Sequence, residues 1–210
     1  MDNNTKDITI KQFGTTPRHI YITEEISNAS LSHLKKELFD IESGDLSTIN
    51  ENYTALSSLG KEVADAYKNS ITLPPIEIQI CSPGGSVYTG LAMYDLIKKY
   101  NDDPRYKLSV HLDGVVASMA SIIMLGADKR IASRNTSFLL HSLSAITAGK
   151  LNDMIDDVNE AKRLDKICKE IYMSSTKLTS EKLEEVDKFK KDWWLSAEDA
   201  LKYGLITEIK

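Results

Sequence analysis

Ile76, Ile78 and Ile80 alternate with Glu77 and Gln79 directly after Pro74-Pro75, the period of a strand with one buried face. The same alternation recurs in Leu108, Val110 and Leu112 against Ser109 and His111, closed by Asp113-Gly114. Shorter runs at 18–22 (RHIYI), 129–132, 137–141 and 205–209 (LITEI) also predict strands. Between them the period changes to that of a helix. Leu31, Leu34, Leu38 and Ile41 mark one helix, Leu56, Leu59, Val63 and Ala66 a second over 53–68, and Leu91, Tyr94, Leu96 and Ile97 a third over 87–100.

The stretch 42–52, ESGDLSTINEN, is polar and rich in turn formers, which predicts a loop. Val116-Ala117-Ser118 forms a small-residue turn into the apolar helix MASIIMLGA, which Gly126 helps to end. A long amphipathic helix follows from about Lys150 to Ser175, its stripe marked by Leu151, Met154, Ile155, Val158, Leu164, Ile167, Cys168 and Ile171. Ser196-Ala197-Glu198-Asp199 has the form of a capping box, opening a short helix that Gly204 stops. Strands alternating with helices predict an α/β fold of βα units around a mainly parallel sheet. A chain of 210 residues suits a polar lead over 1–17 and one domain over 18–210.

Composition narrows the function classes. The chain is 41% hydrophobic and 27% charged, so it has apolar material enough for a core. Its net charge is −5 with lysines and arginines scattered among acids, which argues against nucleic acid as a partner. The lead MDNNTKDITIKQF lacks the layout of a signal peptide, and no later run has the length of a membrane span. A cytoplasmic protein without a membrane partner is expected. Cys81 and Cys168 follow no metal-ligand spacing and read as buried free thiols, with a disulfide between them as the alternative that geometry decides; no metal or other cofactor is expected.

Four histidines are present. His19, His33 and His111 fall on strand or helix positions that suit surface or packing roles. His141 ends the apolar run Phe138-Leu139-Leu140, which brings an imidazole to the edge of the sheet, where a structural histidine would fit equally. Ser118 stands where a strand turns into a helix, exposed and beside free backbone N–H groups that could stabilise an oxyanion. An N-cap explains the same placement. The elbow G-x-S-x-G is absent, and neither phosphate-binding glycine motif occurs at Gly84-Gly85.

Three blocks carry a resemblance to a known family: CSPGGSVYTGLAMYDLI from Cys81, GVVASMASIIMLGADKRIASRNTSFLLHS from Gly114, and DWWLSAEDALKYGLI from Asp192. Together, in this order and separation, they resemble the Clp peptidase family. The resemblance implies the ClpP/crotonase fold, stacked βαβ units with a protruding handle helix, here the region of about 142–178. It implies a serine endopeptidase with Ser118 as nucleophile, His141 as base and Asp192 as the group that orients the imidazole. Gly85 and the backbone N–H of Met119 would form the oxyanion hole. Gly84, Ser142 and Leu143 would bind substrate, a polypeptide held by strand addition along the edge after Ser82-Pro83-Gly84-Gly85 and the strand after His141.

The implied partners are other copies of the chain, in heptameric or stacked tetradecameric rings, and a Clp-type AAA+ ATPase. The chain also departs from the family. Ser142-Leu143 replaces the usual Gln-Pro, the lead lacks the family's N-terminal helix and full axial loop, and the stretch from Glu25 to Pro74 is longer. These departures fit a divergent or phage-encoded member, in a bacterial or phage-infected cytoplasm. Two other readings of the fold are a non-catalytic ring or scaffold subunit and a crotonase-fold acyl-CoA enzyme.

Overall fold

The computed structural model of the chain describes residues 8–13, 18–144, 147–189 and 192–210. Most of the lead, 1–7 and 14–17, lies outside them. The first half of the chain forms β1 (Arg18–Ile22), α1 (Asn28–Ser57), α2 (Lys61–Ser70), β2 (Ile76–Ser82), α3 (Val87–Asn101) and β3 (Leu108–Ala117). After it come α4 (Met119–Ile123), a 3₁₀ turn (Met124–Gly126), β4 (Lys129–Ala132) and β5 (Ser137–Leu140). The chain closes with α5 (Leu151–Ser175), α6 (Ser180–Phe189), β6 (Trp193–Leu195), α7 (Ala197–Lys202) and β7 (Glu208–Ile209).

The isoleucine alternation builds the centre of the sheet. Ile76, Ile78 and Ile80 are fully buried on one face of β2, whereas Glu77 and Gln79 are half-buried on the other. β1 and β3 flank β2 in parallel, with Ile20 opposite Ile78 and Ile78 opposite Val110. The order continues to β4 and β7, giving β1-β2-β3-β4-β7. Parallel neighbours need crossover connections, and the helices supply them. The fold is α/β with a mainly parallel sheet, in agreement with the sequence.

β3 does not end at Leu112. It runs on to Ala117, and at Gly114, where φ is +58°, it changes partners. Its first half pairs with β4, from Ser109 opposite Lys129 to Leu112 opposite Ala132. Its second half pairs with β5, from Val115 opposite Ser137 to Ala117 opposite Leu139. The register against β2 slips at the same place, since Ile80 faces Leu112 but Ser82 faces Val116. Asp113-Gly114 is therefore a bulge that redirects the strand. A Cβ at residue 114 would stand 2.8 Å from the Cys81 sulfur, so glycine also allows the two strands to approach.

The predicted loop at 42–52 is wrong: these residues are the interior of α1. Polarity misled the prediction because two polar side chains are buried and paired. The Asp45 carboxylate accepts from Arg18 at 2.6 Å. The Asn52 side chain bonds both the N–H and the carbonyl of Lys11 and the Tyr67 hydroxyl. Buried Ile49 adds apolar contact, and these gains exceed the cost of about 1 kcal/mol for Gly44 inside a helix. At the other end of α1 the Ser27 hydroxyl accepts from the Ser30 N–H and the Ser30 hydroxyl from the Ser27 N–H, a reciprocal cap.

The long helix predicted from about Lys150 appears as α5. Its second half buries Leu164, Ile171 and Tyr172 against the body of the protein, whereas Leu151, Ile155 and Val158 on its first half are exposed. α6 and β6 have no counterpart among the predicted elements. No described helix is long and apolar enough to cross a membrane.

Candidate active site

Three strand ends converge beside the N-terminus of α4. β3 delivers Ser118, whose N–H donates to the Leu139 carbonyl at 2.9 Å and so continues the β3–β5 ladder. β5 ends at Leu140 and delivers His141. β6 runs antiparallel to β5, with Leu139 opposite Trp194 and Leu140 opposite Trp193, so the next step of this register sets Asp192 opposite His141. Ladder geometry thus brings the three residues to one edge from positions far apart in the chain.

Ser118 occupies the N-cap position of α4, but its side chain makes no capping bond. Its backbone lies at φ +54°, ψ −125°, and it is the one non-glycine residue at positive φ among those described. Such a conformation costs about 1–3 kcal/mol and persists only where the surroundings impose it. The N-cap account of Ser118 therefore fails, because a capping serine lies in the extended region and uses its oxygen on the helix. Here the hydroxyl is left for other use.

Gly84 sits against this turn. A Cβ on Gly84 would lie 2.6 Å from both the Ser118 Cβ and the Ala117 carbonyl, and its φ is +95°. The glycine pair is held by Ser82, whose buried hydroxyl donates to the Glu24 carbonyl at 2.6 Å and accepts from the Gly84 N–H at 3.2 Å. On the outer side Ile26 bridges the pair, donating to the Gly84 carbonyl and accepting from the Ser86 N–H. The N–H groups of Gly85 and Met119 have no partner among the described residues.

Ser118, Met119, Gly85, His141 and Leu143 line one pocket of about 710 Å³, open mouth included. Its far wall comes from α5 and α6 through Cys168, Tyr172, Leu183 and Val186. Three charged groups complete it: Lys169 bridges Asp165 at 2.6 Å and also pairs with Asp187. Burial lowers the Lys169 pKa, but hydrogen bonds and charge from the two aspartates outweigh it and hold the group above its ordinary value. Burial pushes the Cys168 thiol up to about 11.

Among the described residues no hydrogen bond joins Ser118 to His141, and two further site residues are placed away from their predicted partners. The Ser142 hydroxyl is occupied by Asp187, at 2.7 Å. Asp192 is exposed and does not touch the imidazole; instead His141 Nδ1 lies 2.7 Å from the Ser142 carbonyl. A carbonyl only accepts, so Nδ1 carries the proton and Nε2 is left as the basic nitrogen. Among the described residues no strand follows His141; residues 145 and 146 lie outside them. Both cysteines are free but half-buried, less enclosed than expected. No group of three metal-binding side chains occurs among the described residues.

The sequence reading missed the Asp165–Lys169–Asp187 cluster and the α6 wall. Leu183 and Val186 at helical spacing were the available signal for α6.

The Clp protease family model matches residues 63–210, well over half of the chain. The chain belongs to the Clp protease family. The match begins inside α2, so β1 and α1 precede it, and all three resemblance blocks fall within it. Curated members of the family give the same picture. The ATP-dependent Clp protease proteolytic subunit of Deinococcus radiodurans is 35% identical over 136 residues, 64% of this chain and 64% of its own length. The corresponding subunit of Dehalococcoides mccartyi is also 35% identical over 136 residues, covering 64% of this chain and 65% of its own. Subunit 2 of the Prochlorococcus marinus enzyme is 32% identical over 165 residues, 72% of this chain and 78% of the relative. The match to the first two Clp protease subunits thus spans just under two thirds of their length.

Proposed function

We propose that the chain is a serine endopeptidase in which Ser118 is the nucleophile, His141 the general base and Asp192 the carboxylate that stabilises the imidazolium. The observation that carries this reading is the backbone of Ser118: a strained turn that presents an uncapped hydroxyl into a pocket shared with His141. Nε2 of His141 accepts the Ser118 proton as Oγ attacks the scissile carbonyl. The oxygen of the tetrahedral intermediate meets the N–H groups of Gly85 and Met119, each donor worth about 3–4 kcal/mol in comparable sites. His141 then protonates the leaving amine, and water releases the acyl group by the same steps in reverse roles.

Residues 18–210 are taken as one peptidase unit, with α5 as its handle. Membership in a family whose members are named proteolytic subunits supports homo-oligomeric rings and unfolded polypeptide as substrate, with a Clp-type ATPase as the feeding partner. Strand addition as the mode of substrate binding rests on the family resemblance, since Ile26 already bonds the Gly84 carbonyl and the Ser86 N–H; Leu143 lies on the pocket wall. A non-catalytic ring subunit is the second reading, favoured by the absence of a His141–Asp192 contact. One experiment separates them. The wild-type chain should cleave a fluorogenic peptide and take up a fluorophosphonate probe, and Ser118→Ala should do neither. Wild-type protein that fails both assays would leave the scaffold reading, and labelling that persists in Ser118→Ala would remove Ser118 as nucleophile.

A further inference from the structure

Two buried hydroxyls lie behind the nucleophile and take no direct part in the chemistry above. Ser121, fully buried on α4, places its Oγ 2.6 Å from the Ser118 carbonyl oxygen and 2.6 Å from the hydroxyl of Tyr172 on α5. The proton count fixes the direction of this chain. A serine hydroxyl has one proton and the carbonyl can only accept, so the Ser121 proton goes to Ser118 O and the Tyr172 proton goes to Ser121 Oγ. Burial raises the pKa of Tyr172, so it remains a donor throughout the neutral range. The Ser118 carbonyl also accepts from the Ser121 N–H at 2.9 Å.

The peptide joining residues 118 and 119 is planar and trans, so its carbonyl and its N–H point in opposite directions along one rigid unit. Fixing Ser118 O therefore fixes the aim of the Met119 N–H. We infer that Ser121 and Tyr172 are positioning residues for the oxyanion hole: their two hydrogen bonds lock the peptide plane whose other end is the Met119 donor. This rests on the proposed role of Ser118 and Met119. It also makes α5 a structural support of the hole, because Tyr172 is the link through which that helix reaches the reacting end of the chain.

The test uses the full chain. Active sites are counted with a fluorophosphonate, so that kcat refers to folded protein. Tyr172→Phe removes one hydroxyl and keeps the ring. It should lower kcat about tenfold with KM unchanged, and weaken inhibition by a peptide boronate, whose tetrahedral adduct carries an oxygen in the hole, by a similar factor. Ser121→Ala should do the same, the double variant should be little worse than either single one, and Ser121→Thr should restore most of the loss. A purely structural bond predicts a lower melting temperature with kcat and boronate affinity intact, and that result would overturn the inference. Ser118→Ala distinguishes the two levels. If it still hydrolyses peptide, the catalytic reading fails. If it is inactive while Tyr172→Phe matches wild type, only the positioning role is lost.

Discussion

The Nδ1 proton of His141 is held by the Ser142 carbonyl, at 2.7 Å, while Asp192 stands across the β5–β6 register without touching the ring. The tautomer that the proposed reaction needs is thus set by main chain, and in that proposal only the charge of Asp192 remains to be contributed. An Asp192→Asn enzyme should therefore lose about 10²-fold in kcat, from lost stabilisation of the imidazolium. Where the aspartate alone fixes the tautomer, the loss is about 10⁴-fold. Steady-state kinetics on a fluorogenic peptide decides it; a 10⁴-fold loss would mean that substrate binding turns the Nδ1–H of His141 from the Ser142 carbonyl to the Asp192 carboxylate.

Gly84 tests the turn from the other side. With a Cβ driven to 2.6 Å from the Ser118 Cβ and a φ of +95°, Gly84→Ala should displace Ser118, the proposed nucleophile. The expected result is a fall of at least tenfold in kcat/KM and a loss of about 1–3 kcal/mol in denaturant unfolding. An unchanged kcat/KM would show that the Ser118 turn tolerates a shift.

Cys168 offers a pH measurement inside the same pocket. Desolvation disfavours the thiolate, and with the pKa raised to about 11 almost all of the group is neutral thiol at pH 8. Alkylation of a Cys81→Ser chain by iodoacetamide should be slow at pH 8 and keep accelerating through pH 10. A rate that levels off near pH 9 would contradict the effect of burial.

Much of this architecture was legible in the chain. The alternation Ile76-Ile78-Ile80 marked the central strand because a half-buried strand must alternate, and the run ending at His141 marked a sheet edge for the same reason. Local pattern could not separate Ser118 from an N-cap, since the distinction lies in a backbone angle that sequence does not display. The misreading of 42–52 has a different cause: Asp45 and Asn52 are buried through partners at Arg18, Lys11 and Tyr67, distant contacts that no window of local polarity contains. The placement of Asp192 one step beyond the β5–β6 register, on the side of His141, depends on β6, a strand of three residues, too short to show a period.

The angle at Ser118 also sets fold and chemistry against each other. Backbone at φ +54° suits a residue without a side chain, so a Ser118→Gly chain should be inert yet melt at a higher temperature than the natural one. With Ser118 in its proposed role, robustness and reactivity pull in opposite directions at this position, and the easiest route to a hardier protein is through loss of the hydroxyl.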